Sequence, residues 1–526
     1  MTDRFAAEQS GEGSPDRPLR IAKQAVVVVH GMGEQRPMDT IKAFVKTVWQ
    51  DDARITANGL PDPTEVWSKP DERTGSLELR RITTRESIPS EAFPGGVRTD
   101  FFELYWADLT AGTPWEEFTG WLRGLLWRDP IKNVPGNVFW AWLALWLGTL
   151  VFFLLSAIAL VPDNTSVFGW KWGDLPIARW LFVALVGALA AWLHLTIQQT
   201  FGRVVRYTQS TPNNIVARKA VRERGLALLE KLHKGQQYQR VILVSHSLGT
   251  ILAYELLAFF WARQLAALQV TEGTREFELL CELERLAALF GKGVNTDDHR
   301  RAWQLAQCEF RRLLAKRFSP AEPDQPTKDR TWLISDFVTL GSPLTHAQFL
   351  MASDLNDLNS RLISREFPTS PPFREFLDPK TLEAARATRQ LPIETPETET
   401  KMFCFPRAER GAVWELHHAA PFAVVRWTNL YDPSYFLFKG DLISGAMQHV
   451  FGAAINDIDL SKIRGKSCKF THTQYWNLDA DERQKNALRQ AINLLDESDV
   501  GLSKPRQESD KTAASPNEAP KLAQTT

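Results

Sequence analysis

Within ten residues this chain must end a strand, turn sharply and start a helix, and that limits its fold more than any other feature. Val241-Ile-Leu-Val is a run of β-favouring apolar residues, Ser245-His-Ser-Leu-Gly249 is a turn of small residues, and Ile251-Leu-Ala-Tyr-Glu-Leu-Leu-Ala continues at helical spacing. In that context the pattern small-x-Ser-x-Gly forces its central serine into a strained backbone position. The serine Oγ then projects from the end of a sheet, above a helix N-terminus. Gly249, two places downstream, selects Ser247 rather than Ser245 as the projecting residue. Ser245 stands where glycine is commonest, and it is small enough for strand and helix to pass closely.

Ala25-Val-Val-Val-Val29 is a β-branched run without alternation, as expected of a strand buried on both faces of a parallel sheet. It ends in His30-Gly31-Met32-Gly33-Glu34-Gln35-Arg36-Pro37, after which residues 41–48 read as a helix. Glycines at a strand end let the backbone turn and leave N–H groups free to face a ligand. In hydrolases with a strained serine turn the loop after an early strand supplies one oxyanion donor, and by that likeness Met32 N–H is the candidate, paired with Leu248 N–H. Gly31, Gly33 and His246 are candidate substrate contacts. Glu34 and Arg36 read equally well as head-group contacts or as a charge pair at a helix start.

Two long runs carry almost no charge. Residues 138–161 contain no charged side chain, and residues 180–197 are interrupted only by His194. Each is long enough to cross a hydrocarbon core of about 30 Å at about 1.5 Å per residue. Eleven of the 19 tryptophans fall between Trp106 and Trp192, several near the ends of these runs, as in aromatic belts. Arg123, Arg128 and Lys132 precede the first run, and Arg203 and Arg206 follow the second, whereas the connecting loop has only Lys171 and Arg179. The pattern predicts a transmembrane hairpin inserted into a larger domain, with both flanks in the cytoplasm. Thr113-Pro114 starts a further amphipathic helix with apolar positions Trp115, Phe118, Trp121, Leu122, Leu125 and Leu126.

Beyond the turn, residues 272–290 and 298–318 read as charged amphipathic helices, an inserted pair. Residues 333–340 and 423–430 read as strands, the second followed by Asp432 and by Asp441 in Lys439-Gly-Asp-Leu-Ile. A short strand, Cys468-Lys-Phe-Thr, leads to His472, and a final helix covers residues 480–495. A serine is a weak nucleophile until an imidazole takes its proton and a carboxylate holds that imidazole in the right tautomer. Ser247, His472 and Asp441 are the candidates, with Asp432 as the alternative acid. His417-His418 has no carboxylate or cysteine at ligand spacing, so no metal is expected.

On the loop His30-Gly-Met-Gly, the turn Ser245-His-Ser-Leu-Gly249, Leu340-Gly-Ser-Pro343, the strand Trp427-Thr-Asn-Leu-Tyr-Asp with Gly440-Asp-Leu-Ile, and Thr471-His-Thr-Gln-Tyr-Trp476, the chain resembles the α/β-hydrolase superfamily. The likeness is to its lipase and esterase branches and its GPI inositol-deacylase-like group. The resemblance covers residues 24 to 497 apart from the two insertions. It implies an α/β fold, a mostly parallel sheet flanked by helices, here with an inserted transmembrane hairpin and a cap-like helical insertion. It also implies cleavage of carboxylic esters, of lipid or other apolar acyl type, without a cofactor. Asp441 suits the family's acid position better than Asp432. An acyltransferase or thioesterase could use the same triad, and a dead-site membrane-tethered interaction module is the non-enzyme alternative.

The expected partition is a polar lead (1–20), hydrolase domain (21–134), hairpin (135–202), hydrolase domain with the serine turn (203–265), helical insertion (266–330), hydrolase domain with acid and histidine (331–497), and a tail (498–526). The lead has no apolar run and reads as disordered rather than as a signal peptide, and the tail reads as disordered too. A formal net charge of +0 provides no field for nucleic acid; the expected partners are the ester substrate that the resemblance implies and the bilayer that the two charge-free runs predict. Cys281, Cys308, Cys404 and Cys468 are too scattered for a disulfide framework.

Overall fold

The computed structural model describes residues 21–498 except 32–36, 57–61, 77, 111–126, 128–135, 160–165, 168–169, 172–180, 183, 189–206, 208–211, 235–236, 266–267, 317–331, 382, 384–400, 407–412, 435–438 and 478. In chain order the principal elements begin with β1 (Ala22–Val29), α1 (Asp39–Val45), β2 (Val66–Pro70), β3 (Arg80–Glu86), β4 (Val97–Leu104) and α2 (Gly136–Ala159). There follow α3 (Pro212–Lys234), β5 (Arg240–His246), α4 (Gly249–Gln264), α5 (Arg275–Gly291), α6 (Asp297–Lys316) and β6 (Ile334–Leu340). The last are α7 (Leu355–Ile363), β7 (Arg426–Tyr431), β8 (Asn456–Asp459) and α8 (Glu482–Ile492).

Eight strands form one sheet in the order β8-β7-β6-β5-β1-β4-β3-β2. β1 pairs in parallel with β4 and β5, and β5–β6–β7–β8 continue in parallel. Only the β2–β3–β4 edge is antiparallel. The fold class is therefore α/β with a mostly parallel sheet. Alternation along β1 explains its unbroken valine run. Ala25, Val27 and Val29 join the core shared with α3, α4, α5 and α6, whereas Val26 and Val28 join the opposite core with α1 and α8. A parallel strand covered on both faces needs apolar side chains at every position. The carboxyl ends of β1, β5, β6 and β7 lie together at one edge, where open α/β sheets bind ligands.

Several boundaries differ from the sequence expectation. β7 starts only at Arg426, because Pro421 opens a short 3-10 turn, Pro421–Ala423, instead of continuing a ladder. The strand expected before His472 is reduced to one bridge, Gly440 to Phe470, so His472 sits in a turn. In the helical insertion, α5 is capped by Thr274, which accepts from Phe277 N–H. Leu280, Leu283 and Phe290 of α5, with Trp303 and Phe310 of α6, are buried in the same core as α4, so this pair packs as part of the domain.

Residues 138–159 of the first charge-free run lie in α2, a helix of 24 residues, on which Leu147, Leu150, Val151, Phe153 and Leu154 are exposed. Among the described residues no helix is long and apolar enough to cross a membrane. The second run lies largely outside the described residues, as does the amphipathic helix expected from Thr113.

The amino ends of the strands are locked by buried charge. Asp336 on β6 accepts from Arg426 Nε at 2.7 Å, from Arg240 Nη2 and from Ser335 Oγ, while Arg311 is bonded to Asp496 at 2.8 Å. Burial opposes the charge on Asp336, but Arg426, Arg240 and Arg311 outweigh it and hold the carboxyl well below the usual carboxylate range. A depressed folded pKa stabilises the fold fully above the unfolded value of about 3.9. That stabilisation is lost as pH falls towards the folded value. Asp336→Asn is thus expected to lower unfolding free energy by about 3–5 kcal/mol at pH 7, and to flatten the decline of stability below about pH 4. Urea titrations across that range test this, and an unchanged midpoint at pH 7 would contradict it.

Candidate active site

Ser247 has φ +53°, in the left-handed region that a side-chain-bearing residue rarely occupies. The strain is held from both sides. Ser247 N–H donates to Leu340 O at 3.0 Å, and its carbonyl accepts from Thr250 N–H at 2.9 Å as α4 begins. Gly249 explains why the turn can sit against β1: a Cβ there would lie 2.3 Å from His30 O and 2.7 Å from Val29 O. Gly31 faces the serine just as closely, since a Cβ there would lie 2.7 Å from Ser247 Cβ. Ser245 points elsewhere, its Oγ donating to Val338 O at 3.2 Å on the neighbouring strand.

His472 Nε2 lies 2.8 Å from Ser247 Oγ, and its Nδ1 lies 3.0 Å from both oxygens of Asp441. A carboxylate only accepts, so Nδ1 carries the proton and Nε2 is left bare to take one from the serine. All three side chains are buried. Asp441 is placed by the loop after β7: its N–H donates to Asp432 O at 2.9 Å, and its Oδ1 accepts from Ile443 N–H at 2.9 Å. Burial works against its charge, yet hydrogen bonds from His472, Tyr475 and Ile443 N–H prevail and hold the carboxyl below its ordinary range.

Asp432 does not face the histidine. Its Oδ2 accepts from Arg464 Nη2 at 2.6 Å and from Thr471 Oγ1, so it braces the histidine loop from behind. Leu248 precedes the first residue of α4, and none of the described groups accepts from its N–H. Its position next to Ser247 suits it to an oxyanion. Met32 and Gly33, with Glu34 and Arg36, lie outside the described residues. His30 donates from Nδ1 to Gly31 O at 2.7 Å and accepts Trp106 N–H at Nε2 at 3.3 Å, which fixes the end of β1. His246 is buried and bonds to the His472 main chain. His417 spends both ring nitrogens on main-chain groups, Phe373 O and Ala419 N–H, and among the described residues no cluster could hold a metal.

Three contributors had no role assigned from sequence. Tyr475 donates its hydroxyl to Asp441 Oδ2 at 2.8 Å, and burial followed by the Asp441 charge pushes its pKa well up, so it stays a donor. Its place three residues after His472 was the only signal. Gly341 (φ +58°) leaves room for that tyrosine, for a Cβ there would lie 2.6 Å from the Tyr475 ring and 3.1 Å from Asp441 Oδ2. Glu103, on β4 beside Val28, is fully buried and accepts Met38 N–H at 2.8 Å, tying the residue before α1 to the sheet. Burial pushes its pKa up to about 7. Comparison of the chain with family models, with curated proteins and with solved structures finds no match.

Proposed function

We propose that this protein is a serine hydrolase of the α/β-hydrolase type that cleaves carboxylic esters through an acyl-enzyme on Ser247. The observation that carries the reading is the unbroken hydrogen-bonded chain Ser247–His472–Asp441, drawn from three loops at the carboxyl ends of parallel strands. Ser247 Oγ attacks the ester carbonyl carbon while His472 Nε2 takes its proton, and the Asp441 carboxylate stabilises the imidazolium that forms. The carbonyl oxygen becomes an oxyanion beside Leu248 N–H, with Met32 N–H as the proposed second donor. The intermediate collapses by breaking the bond to the alcohol oxygen, which receives the proton from His472. Water, deprotonated by the same imidazole, then attacks the acyl carbon, and Ser247 leaves with its proton restored. No cofactor enters any step. Hydrolysis of a panel of p-nitrophenyl esters of increasing acyl length by the purified full chain tests the reading. Absence of turnover on every ester by folded protein would contradict it.

The same reading makes the protein membrane-anchored, with apolar acyl esters as substrates and both hairpin flanks cytoplasmic. Support comes from the charge-free runs, their aromatic ends, the basic flanks and the exposed Leu and Phe side chains of α2. A helix keeps its backbone hydrogen bonds internal, so each run could cross lipid without unsatisfied groups. A cysteine placed at Ser166 is expected to react with an impermeant thiol reagent on intact cells, and one placed at Ser210 is not. Labelling at Ser210 alone would invert the orientation. Release of the protein by a carbonate wash would remove the spans.

A further inference from the structure

Next to Ser247 stands a second histidine that the chemistry above leaves unused. His246 ends β5, is 5% exposed, and holds its Nε2 2.7 Å from the main-chain oxygen of His472. A carbonyl oxygen only accepts, so Nε2 carries the ring proton and Nδ1 is bare. No described group bonds to Nδ1. The ring is set edge-on to Trp476 with centroids 4.7 Å apart, and lies 5.0 Å from the His472 ring and 5.9 Å from Tyr475. Burial, and next the neighbouring His472, push its pKa down to about 3. It therefore stays neutral at any pH where His472 serves as a base, and never competes for the serine proton.

His472 lies in a turn, so neither a helix nor a strand fixes its main chain. Its neighbour Thr471 is tied through N–H to Gly440 O at 3.2 Å and through Oγ1 to Asp432, which locates the loop on the acid side. On the serine side, among the described residues, the carbonyl of His472 accepts from His246 alone. A reacting pair brought together across 225 residues of sequence depends on such ties, because a 1 Å misplacement can cost about 100-fold in rate. We infer that His246 is a positioning residue: it fastens the His472 main chain to the strand that carries Ser247, and thereby sets the serine–imidazole separation during reaction. This rests on the serine-hydrolase reading, and it replaces the substrate contact expected of His246 with a role that never touches substrate.

The test is steady-state kinetics on the full chain with Ser247→Ala, His246→Leu, His246→Met and His246→Gln, each checked for folding by circular dichroism. His246→Leu should lower kcat by about 30- to 100-fold with KM changed less than about 2-fold, since the tie acts on the reacting pair and not on binding. His246→Gln keeps an N–H donor of similar reach and should recover at least about 10-fold of that loss. Wild-type kcat in folded His246→Leu, or a glutamine variant no better than leucine, would overturn the role. If the leucine variant does not accumulate, methionine takes its place, and equal kcat for methionine and glutamine would overturn it. Full activity in Ser247→Ala would instead remove the hydrolase reading itself.

Discussion

Ser247→Ala is expected to lower kcat for ester hydrolysis by about 10³- to 10⁶-fold while leaving the protein folded. Alanine keeps a Cβ and accepts the same backbone hydrogen bonds, so the turn between β5 and α4 is no more strained than before. What disappears is the Oγ that lies 2.8 Å from His472 Nε2. Ser245→Ala provides the contrast. That serine donates to Val338 O within the sheet, so its loss should cost about 1 kcal/mol of stability and little activity. Kinetics of both variants, with unfolding curves, decide between the two serines. Near-normal turnover in Ser247→Ala would end the account of the turn as a nucleophile site.

Asp441→Asn should lower kcat by about 10⁴-fold, because an asparagine amide can present a donor to Nδ1 and hold the imidazole in the wrong tautomer. The carboxylate now accepts from His472, Tyr475 and Ile443 N–H together, so its orientation is over-determined. Asp432→Asn should act differently. It removes the charge opposite Arg464 but leaves an oxygen for Thr471, so a loss of about 1.5–3 kcal/mol in stability is expected with only a modest fall in kcat. The reverse ranking would move the acid role to Asp432. The depressed pKa of Asp441 adds a pH expectation: the carboxylate form persists through the ordinary carboxylate range, and its support of His472 fades only as pH falls below that range.

The elements around the serine were legible because their residues have few alternatives. A valine run buried on both faces, a turn of small residues and a glycine with no room for a Cβ each permit one local structure. The acid was ambiguous because sequence shows two aspartates after one strand and not where they point. The loop hydrogen bond Asp441 N–H to Asp432 O separates them by turning one towards His472 and the other towards Arg464. Tyr475, Gly341 and His246 act through contacts across 34 to 226 residues of chain, which no local pattern encodes. Glu103 reads as one polar residue in a strand, and only the Met38 N–H reveals that it ties the start of α1 to β4. β8 was missed because Asn456–Asp459 lacks the apolar pattern of a buried strand, being the sheet's edge.

Every step of the proposed chemistry depends on activation of the Ser247 oxygen by His472. Reacting the folded full chain with a fluorophosphonate and mapping the adduct by mass spectrometry tests it most directly. One adduct per chain is expected, carried on Ser247 and absent from the Ser247→Ala variant. A folded protein that takes up no reagent, or carries it on another serine, would contradict it.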